Sequence, residues 1–322
     1  MIKKKVLIFG ASGQIGRYCI RRLVKDNYKV IAVTRNKHQK AYILKTQAPI
    51  GYLDIEEADI FNEKKLNKFI SEADICINLV GILFEKGKKN TFENIHNKLP
   101  NLISKICSDQ NKKLIHVSAL GLSKATDSSY AISKLKGEEN IKKNLPTATI
   151  VKPSIVYSVD DNFTTKFMGL LNLLPIFPLY YNGLTKFSPV HATDVSEVIF
   201  KIISNEIYSK SIEVIGPEVI SFKEILQKIL KAINKKRLLL PLPLFIANAS
   251  ASIFQLLPTP LITKDQLKLL KYDNVASGNF KTNFDLGIPS ELKFENEVSK
   301  YCFMWRKEGQ YSKEEYKIED NR

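Results

Sequence analysis

Three glycines in the segment FGASGQIGR, at Gly10, Gly13 and Gly16, follow directly on the apolar run Val6 to Phe9 and open a segment of helical character near Ile15. Glycine permits the tight turn, and it lets backbone N–H groups and a helix N-terminus approach a pyrophosphate with no Cβ in the way. A strand, a glycine turn and a helix in that order constrain the fold more than any other feature of the chain. They predict a dinucleotide-binding βαβ unit whose phosphate loop is Gly10, Ser12, Gly13, Gln14, Ile15 and Gly16.

The alternation continues. Strands are expected at Lys29 to Thr34, Ile75 to Val80, Lys113 to Val117 and Ala148 to Val151. Helices are expected at Ile15 to Asp26, Glu63 to Ala73, Asn94 to Asp109 and Ser129 to Asn144. Such repetition implies an α/β protein with a Rossmann-like, doubly wound parallel sheet and a smaller, mainly helical C-terminal region. We assign residues 1–157 and 189–216 to the NAD(P)-binding domain, and 158–188 and 217–306 to a smaller substrate or partner region. Residues 307–322 form a charged tail expected to be disordered. Two uncharged stretches mark the second region, Phe167 to Thr185 and Leu238 to Thr263. Their prolines forbid one continuous helix across either; each reads as core of the second region or as a partner or membrane interface, and the aromatics Phe177, Tyr180 and Tyr181 of the first favour the interface.

Charge narrows the partners. The 322 residues carry 49 Lys and Arg against 33 Asp and Glu, a net +16. Residues 1–150 hold 27 basic and 14 acidic side chains, so +13 of the excess lies in the first half. Scattered lysines without a zinc-finger or RNA-binding signature argue against nucleic acid, leaving a solvated surface, an anionic membrane or an anionic cofactor. Four cysteines far apart, with no CxxC, suggest reduced thiols and no metal. The first five residues run straight into a strand, so no signal peptide is expected. A cytoplasmic protein is expected, soluble or peripheral to a membrane.

NAD sites usually place an acid at the end of the second strand. Here the strand ends Val33, Thr34, Arg35, and a guanidinium grips a 2′-phosphate. Arg17, on the first turn of the glycine helix, is expected to point into the same pocket, which favours NADP(H) over NAD(H). Asp59 and Ile60 follow the expected third strand and suit the adenine. Leu79, Val80 and Gly81 end the fourth, at the carboxyl edge where ligands sit in open α/β sheets. Tyr130 and Lys134 lie four apart on one helix face, where the ammonium is expected to lower the phenol pKa and make it a proton donor or acceptor. His116 reads as a packed histidine, and Asp194 beside His191 as a helix N-cap or first-turn acid. Trp305 reads as a packing cluster or interface patch.

The motifs FGASGQIG, INLVGILFE, HVSALG and YAISK resemble the atypical short-chain dehydrogenases. Within them, VKPSIVYSVDDNF, FSPVHATDV, EVIGPE and LITKDQLKLLKYDNVAS are similar to the dehydrogenase-like accessory subunits of respiratory complex I and their bacterial relatives. The resemblance covers roughly residues 4 to 306. It implies a Rossmann-like domain holding NADPH as a structural group, with the C-terminal part near the quinone and membrane region of the complex. It places Gly10, Gly13 and Gly16 on the phosphates, Arg17 and Arg35 on the 2′-phosphate, Tyr130 and Lys134 on the nicotinamide ribose, and Pro153 beside the cofactor. Lys152 stands where an arginine is usual. An active member needs a serine near the end of HVSALG; aligned by apolar residues, Ala119 holds that place and Ser118 is one position early, pointing to the other face. A register slip of one makes Ser118 the catalytic serine. The expected roles are therefore an accessory or assembly subunit holding NADP(H), a free NADPH-dependent reductase or epimerase/dehydratase acting on a small carbonyl or nucleotide-sugar substrate, or an NADPH-binding sensor.

Overall fold

A computed structural model describes residues 3–243 and 262–307, with positions 245, 252, 260 and 309. In its first half, short apolar strands alternate with helices: β1 (Lys5–Phe9), α1 (Gln14–Lys25), β2 (Lys29–Thr34), α2 (Lys37–Lys45), β3 (Leu53–Glu57), α3 (Glu63–Ser71) and β4 (Ile75–Asn78). A π-helical turn (Glu93–Lys98) leads into α4 (Leu99–Asp109), then β5 (Lys113–Val117), α5 (Ser129–Asn144) and β6 (Thr149–Pro153). The second half holds β7 (Val156–Tyr157), α6 (Thr164–Leu173), β8 (Ile176–Leu179), β9 (Lys186–Phe187), β10 (Val190–His191), α7 (Ala192–Ser204), β11 (Ser211–Val214) and β12 (Ile220–Ser221). It ends with α8 (Phe222–Ala232), β13 (Leu238–Pro241), α9 (Lys264–Leu269), β14 (Lys281–Thr282) and α10 (Phe294–Ser299).

Eight strands form one parallel sheet in the order β14-β11-β6-β5-β4-β1-β2-β3. Strand order reverses at β1, whose Phe9 pairs with Val33 on one side and Asn78 on the other. A crevice opens at the carboxyl ends there, because the crossovers leave β1 and β4 toward opposite faces. Alternate residues of β1 serve opposite cores. Val6 and Ile8 pack with Ile20 and Leu23 of α1 and Ile199 of α7, while Leu7 and Phe9 pack with Leu66 of α3 and Ile103 of α4.

β4 stops at Asn78, two residues earlier than expected. The Asn78 side chain accepts the Val80 N–H at 3.1 Å, which turns the chain out of the ladder. α2 has only Leu44 fully buried, a stripe too thin to read from periodicity. The π-turn has a cause in two residues. Pro100 has no N–H for the His96 carbonyl, and α5 crosses so near it that a Cβ on Gly137 would lie 2.0 Å from that oxygen.

A third core lies in the second region, where Tyr157, Met168, Phe177, Phe222, Ile225 and Phe294 pack together. The reading of Phe167 to Thr185 as an interface is corrected here: Phe177 and Tyr180 are buried, Phe177 against α8 and Tyr180 with Leu267 of α9, and only Tyr181 is partly open. Leu173, Ile176 and Leu184 remain exposed. Leu238 to Pro241 form β13 beside β8, whereas Leu244, Phe254 and most of that uncharged stretch lie outside the described residues, as does nearly all of the tail. Trp305 packs against the third core. Among the described residues, no helix is long and apolar enough to cross a membrane.

Candidate functional site

The glycine turn occupies the crevice. Gly10 sits at φ +79°, a left-handed conformation, and a Cβ there would lie 3.1 Å from the Leu79 carbonyl carbon and 3.2 Å from the Val80 nitrogen. The chain after β4 therefore packs directly on the turn after β1. Gly16 faces the same strand end, where a Cβ would come within 2.5 Å of the Ala11 oxygen. Gly13 starts α1 with no side-chain cap and no acid in the first turn, so the positive helix end meets the crevice uncompensated. Ser12, Gln14 and Ile15 complete this loop. Gln14 Nε2 donates to Ser158 Oγ at 2.8 Å, which ties the loop to the second region.

At one end of the crevice a cavity of about 370 Å³ is lined by Arg35, Glu57, Asp59, Ile60, Lys65, Lys89 and Asn90, among others. Arg35, Asp59 and Ile60 are thus brought together in one cavity. Glu57 accepts the Lys37 N–H at 2.7 Å, which orients its carboxylate onto the first turn of α2. Lys89 pairs with Asp59 at 2.8 Å and holds that carboxyl below its ordinary pKa, with help from the Phe61 N–H. Arg17 does not join Arg35: its guanidinium is engaged by Asp160 and by the Ser12 carbonyl, so it lines the phosphate loop and not this cavity. The cause is a carboxylate delivered by the loop after β7.

At the other end stand Tyr130 and Lys134 of α5. Lys134 is buried beneath Gly81, whose added Cβ would lie 3.8 Å from Nζ. Burial pulls the Lys134 pKa down to about 8, opposed only by the charge of Glu138. The lysine lies 5.7 Å from the Tyr130 ring centre. The phenol pKa is raised, not lowered as expected, by burial and by the charge of the Asp265 carboxylate. Asp265 of α9 accepts from the N–H groups of Ser129 and Tyr130 at 2.7 and 3.0 Å and from Ser128 Oγ at 2.8 Å, so the second region caps α5.

Ser118 is buried and bonds the turn of α5 that follows Lys134. Its hydroxyl donates to Glu138 Oε1 at 2.6 Å, and Glu138 in turn pairs with Lys152 at 2.7 Å, both side chains buried. Lys152 therefore has an internal partner. Pro153 ends β6 and its carbonyl accepts the Leu120 N–H at 2.9 Å. His116 is buried and bonded to Asn78 Nδ2 at 3.1 Å, with burial and two lysines drawing its pKa down to about 3. His191, not Asp194, caps α7; Asp194 is the first-turn acid.

Sequence reasoning missed His96, Glu138, Asp160 and Asp265. His96 is held by the π-turn, where Nε2 accepts the Ile82 N–H at 3.1 Å, Nδ1 meets Ser133 Oγ at 3.0 Å, and the ring lies edge-on to Tyr130 at 5.1 Å. Glu138 had a readable signal, since Tyr130, Lys134 and Glu138 recur every four residues on one helix face.

Relatives extend over most of the chain. The mitochondrial NADH-ubiquinone oxidoreductase 40 kDa subunit of Neurospora crassa is 26% identical over 293 residues, covering 88% of this chain and 76% of that one. The mitochondrial NADH dehydrogenase (ubiquinone) 1 alpha subcomplex subunit 9 of Arabidopsis thaliana is 27% identical over 300 residues, covering 89% and 74%. A UDP-glucuronic acid 4-epimerase from Bacillus cereus, solved with UDP-glucuronic acid and NAD, shares the fold with a TM-score of 0.70 at 17% identity, covering 92% of this chain and 98% of that one. The model of the NAD dependent epimerase/dehydratase family matches residues 6–216, which take in every strand of the large sheet except β14, and the chain belongs to that family.

Proposed function

We propose that the chain holds a nicotinamide dinucleotide, NADP(H) in preference to NAD(H), and serves as an accessory or assembly subunit of respiratory complex I, the NADH:ubiquinone oxidoreductase. The observation that carries this reading is Ser118. Its proton is committed to Glu138 at 2.6 Å, so Ser118 is not free to polarise a substrate carbonyl beside Tyr130 and Lys134. A nucleotide in the crevice would bring hydride chemistry, but these residues are suited to holding it. The backbone of the glycine turn fits a pyrophosphate, since Cβ atoms at Gly10 and Gly16 would meet main-chain atoms. Lys134, buried and near Gly81, fits a ribose hydroxyl. Arg35 supports the 2′-phosphate preference because Glu57, the nearby acid at the end of β3, is turned onto the Lys37 N–H.

The match to complex I subunits along most of the chain supports the assembly role. The location that goes with it is cytoplasmic and peripheral, on the inner face of the inner membrane, or on the matrix face in an organelle. Calorimetric titration of NADPH and NADH into the protein and into Arg35→Asp tests the cofactor, with the preference expected to invert or vanish in the variant. Tyr130→Phe should weaken binding by about two- to tenfold, the worth of one neutral hydrogen bond. Copurification with membrane-bound complex I tests the partner. A robust carbonyl reductase activity that Tyr130→Phe eliminates overturns the holding role in favour of a free reductase.

A further inference from the structure

Between β4 and α4 the chain makes a lysine-rich turn whose position the proposed function leaves unexplained. The Lys86 N–H donates to the Asn90 carbonyl at 2.9 Å, with Gly87 at φ +66° between them. Asn94 Nδ2 binds the Lys88 and Lys89 carbonyls at 3.2 Å each, and Glu85 Oε1 accepts the Phe92 N–H at 2.7 Å. The turn is therefore built on the π-turn as a closed unit. Its tip reaches across the sheet. Asn90 Oδ1 accepts from Arg35 Nη1 at 3.1 Å, and Lys89 Nζ meets Asp59 Oδ2 at 2.8 Å. Arg35 follows β2 and Asp59 follows β3, whereas the turn leaves β4; in the sheet β1 lies between β4 and β2. Glu85–Asn90 thus spans the carboxyl ends of β1 and β2, at the outer end of the crevice.

We propose that this turn is a specificity strap, in which Lys89 exchanges Asp59 for the 2′-phosphate of the dinucleotide while Asn90 stays on Arg35. The inference rests on the NADP(H) reading above. Lys89 is 77% exposed at its side chain, so its pair with Asp59 is screened by water and readily exchanged. A phosphate dianion between Arg35 and Lys89 makes charge-assisted contacts with both, and the same cavity already holds all three partners. Asp59, once released, is free to accept from the adenine amine. A nucleotide without the 2′-phosphate gives Lys89 no reason to leave Asp59, so the strap discriminates at a position beyond the end of β2.

The test is calorimetric titration of NADPH and NADH into the full chain and into Lys89→Ala, Asn90→Ala and Arg35→Ala, with amide hydrogen exchange over residues 85–90. Lys89→Ala should lower NADPH affinity by about tenfold, leave NADH affinity within about twofold, and reduce the salt dependence of NADPH binding. Exchange in 85–90 should slow more with NADPH than with NADH. If Lys89→Ala weakens both nucleotides equally, or neither, while Arg35→Ala abolishes the preference, the strap is wrong and the cofactor reading stands. If the unmodified protein binds both nucleotides equally, the cofactor reading and the strap fall together.

Discussion

Among the described residues, the ion pair between Glu138 and Lys152 is the most deeply buried, and its removal should be costly. The two side chains are 4% and 10% exposed, joined at 2.7 Å, and Glu138 also accepts from Ser118. Lys152→Met strands a buried carboxylate with one hydroxyl donor, and breaking a buried pair from one side costs about 3–5 kcal/mol. Glu138→Leu strands the ammonium instead, but Lys152 Nζ lies 4.7 Å from the Phe280 ring centre, a cation–π contact that brings the loss toward about 3 kcal/mol. The double variant removes both charges and keeps the volume, so only the Ser118 acceptor and some packing are lost, about 1–2 kcal/mol. The singles together exceed the double by at least about 3 kcal/mol, a coupling far outside the additivity of independent sites. Urea unfolding of the four proteins, followed by circular dichroism, measures the cycle. Single losses below about 1 kcal/mol, or a double variant equal to the sum of the singles, would refute the claim that burial makes this pair interdependent.

Two further outcomes are expected. Gly16→Ala should weaken dinucleotide binding by at least about tenfold and cost about 1–3 kcal/mol of stability, because its Cβ meets the Ala11 backbone at 2.5 Å and forces the start of α1 away from the crevice; wild-type affinity in calorimetry contradicts this. Lys134 should make dinucleotide affinity pH-dependent. Its pKa of about 8 in the free protein is raised by a ribose acceptor, so affinity is full below pH 8 and declines as pH rises above it. A dissociation constant that stays flat across that range, or that rises equally in Lys134→Met, counts against the ammonium as the contact.

What could be read from sequence was whatever has a local cause. The bounds of β5 and α5 coincide with expectation because apolar runs meet local stop signals, and Ser128 caps α5 through the Ala131 N–H. The place of Arg35 at the mouth of the sheet was legible because it needs only to follow β2. Arg17 was not, since its partner Asp160 lies 143 positions on and nothing nearby announces the pairing. The aromatics of Phe167 to Thr185 fail for the same reason: an uncharged run reads equally as core or contact surface, and α8 and α9, which cover it, come much later. For Ser118 the sequence left two registers open, and its acceptor on α5, twenty positions on, required the fold. The π-turn is a middle case, with Pro100 and Gly137 visible and their meeting invisible.

Strand β14 has a consequence for how the protein is made. It pairs with β11 through Ile212 and Glu213, yet its residues follow the entire second region. During synthesis the sheet therefore carries an open edge at β11 until Thr282 has left the ribosome, and an open parallel edge is a template for pairing with other chains. Strands of this kind pair late and slowly, since a long loop must close first. An expression fragment cut at the end of the family match, residue 216, would keep the glycine turn and lose the cover on that edge. Such a fragment would associate edge to edge in solution, and intact chains stalled before residue 281 would share its fate.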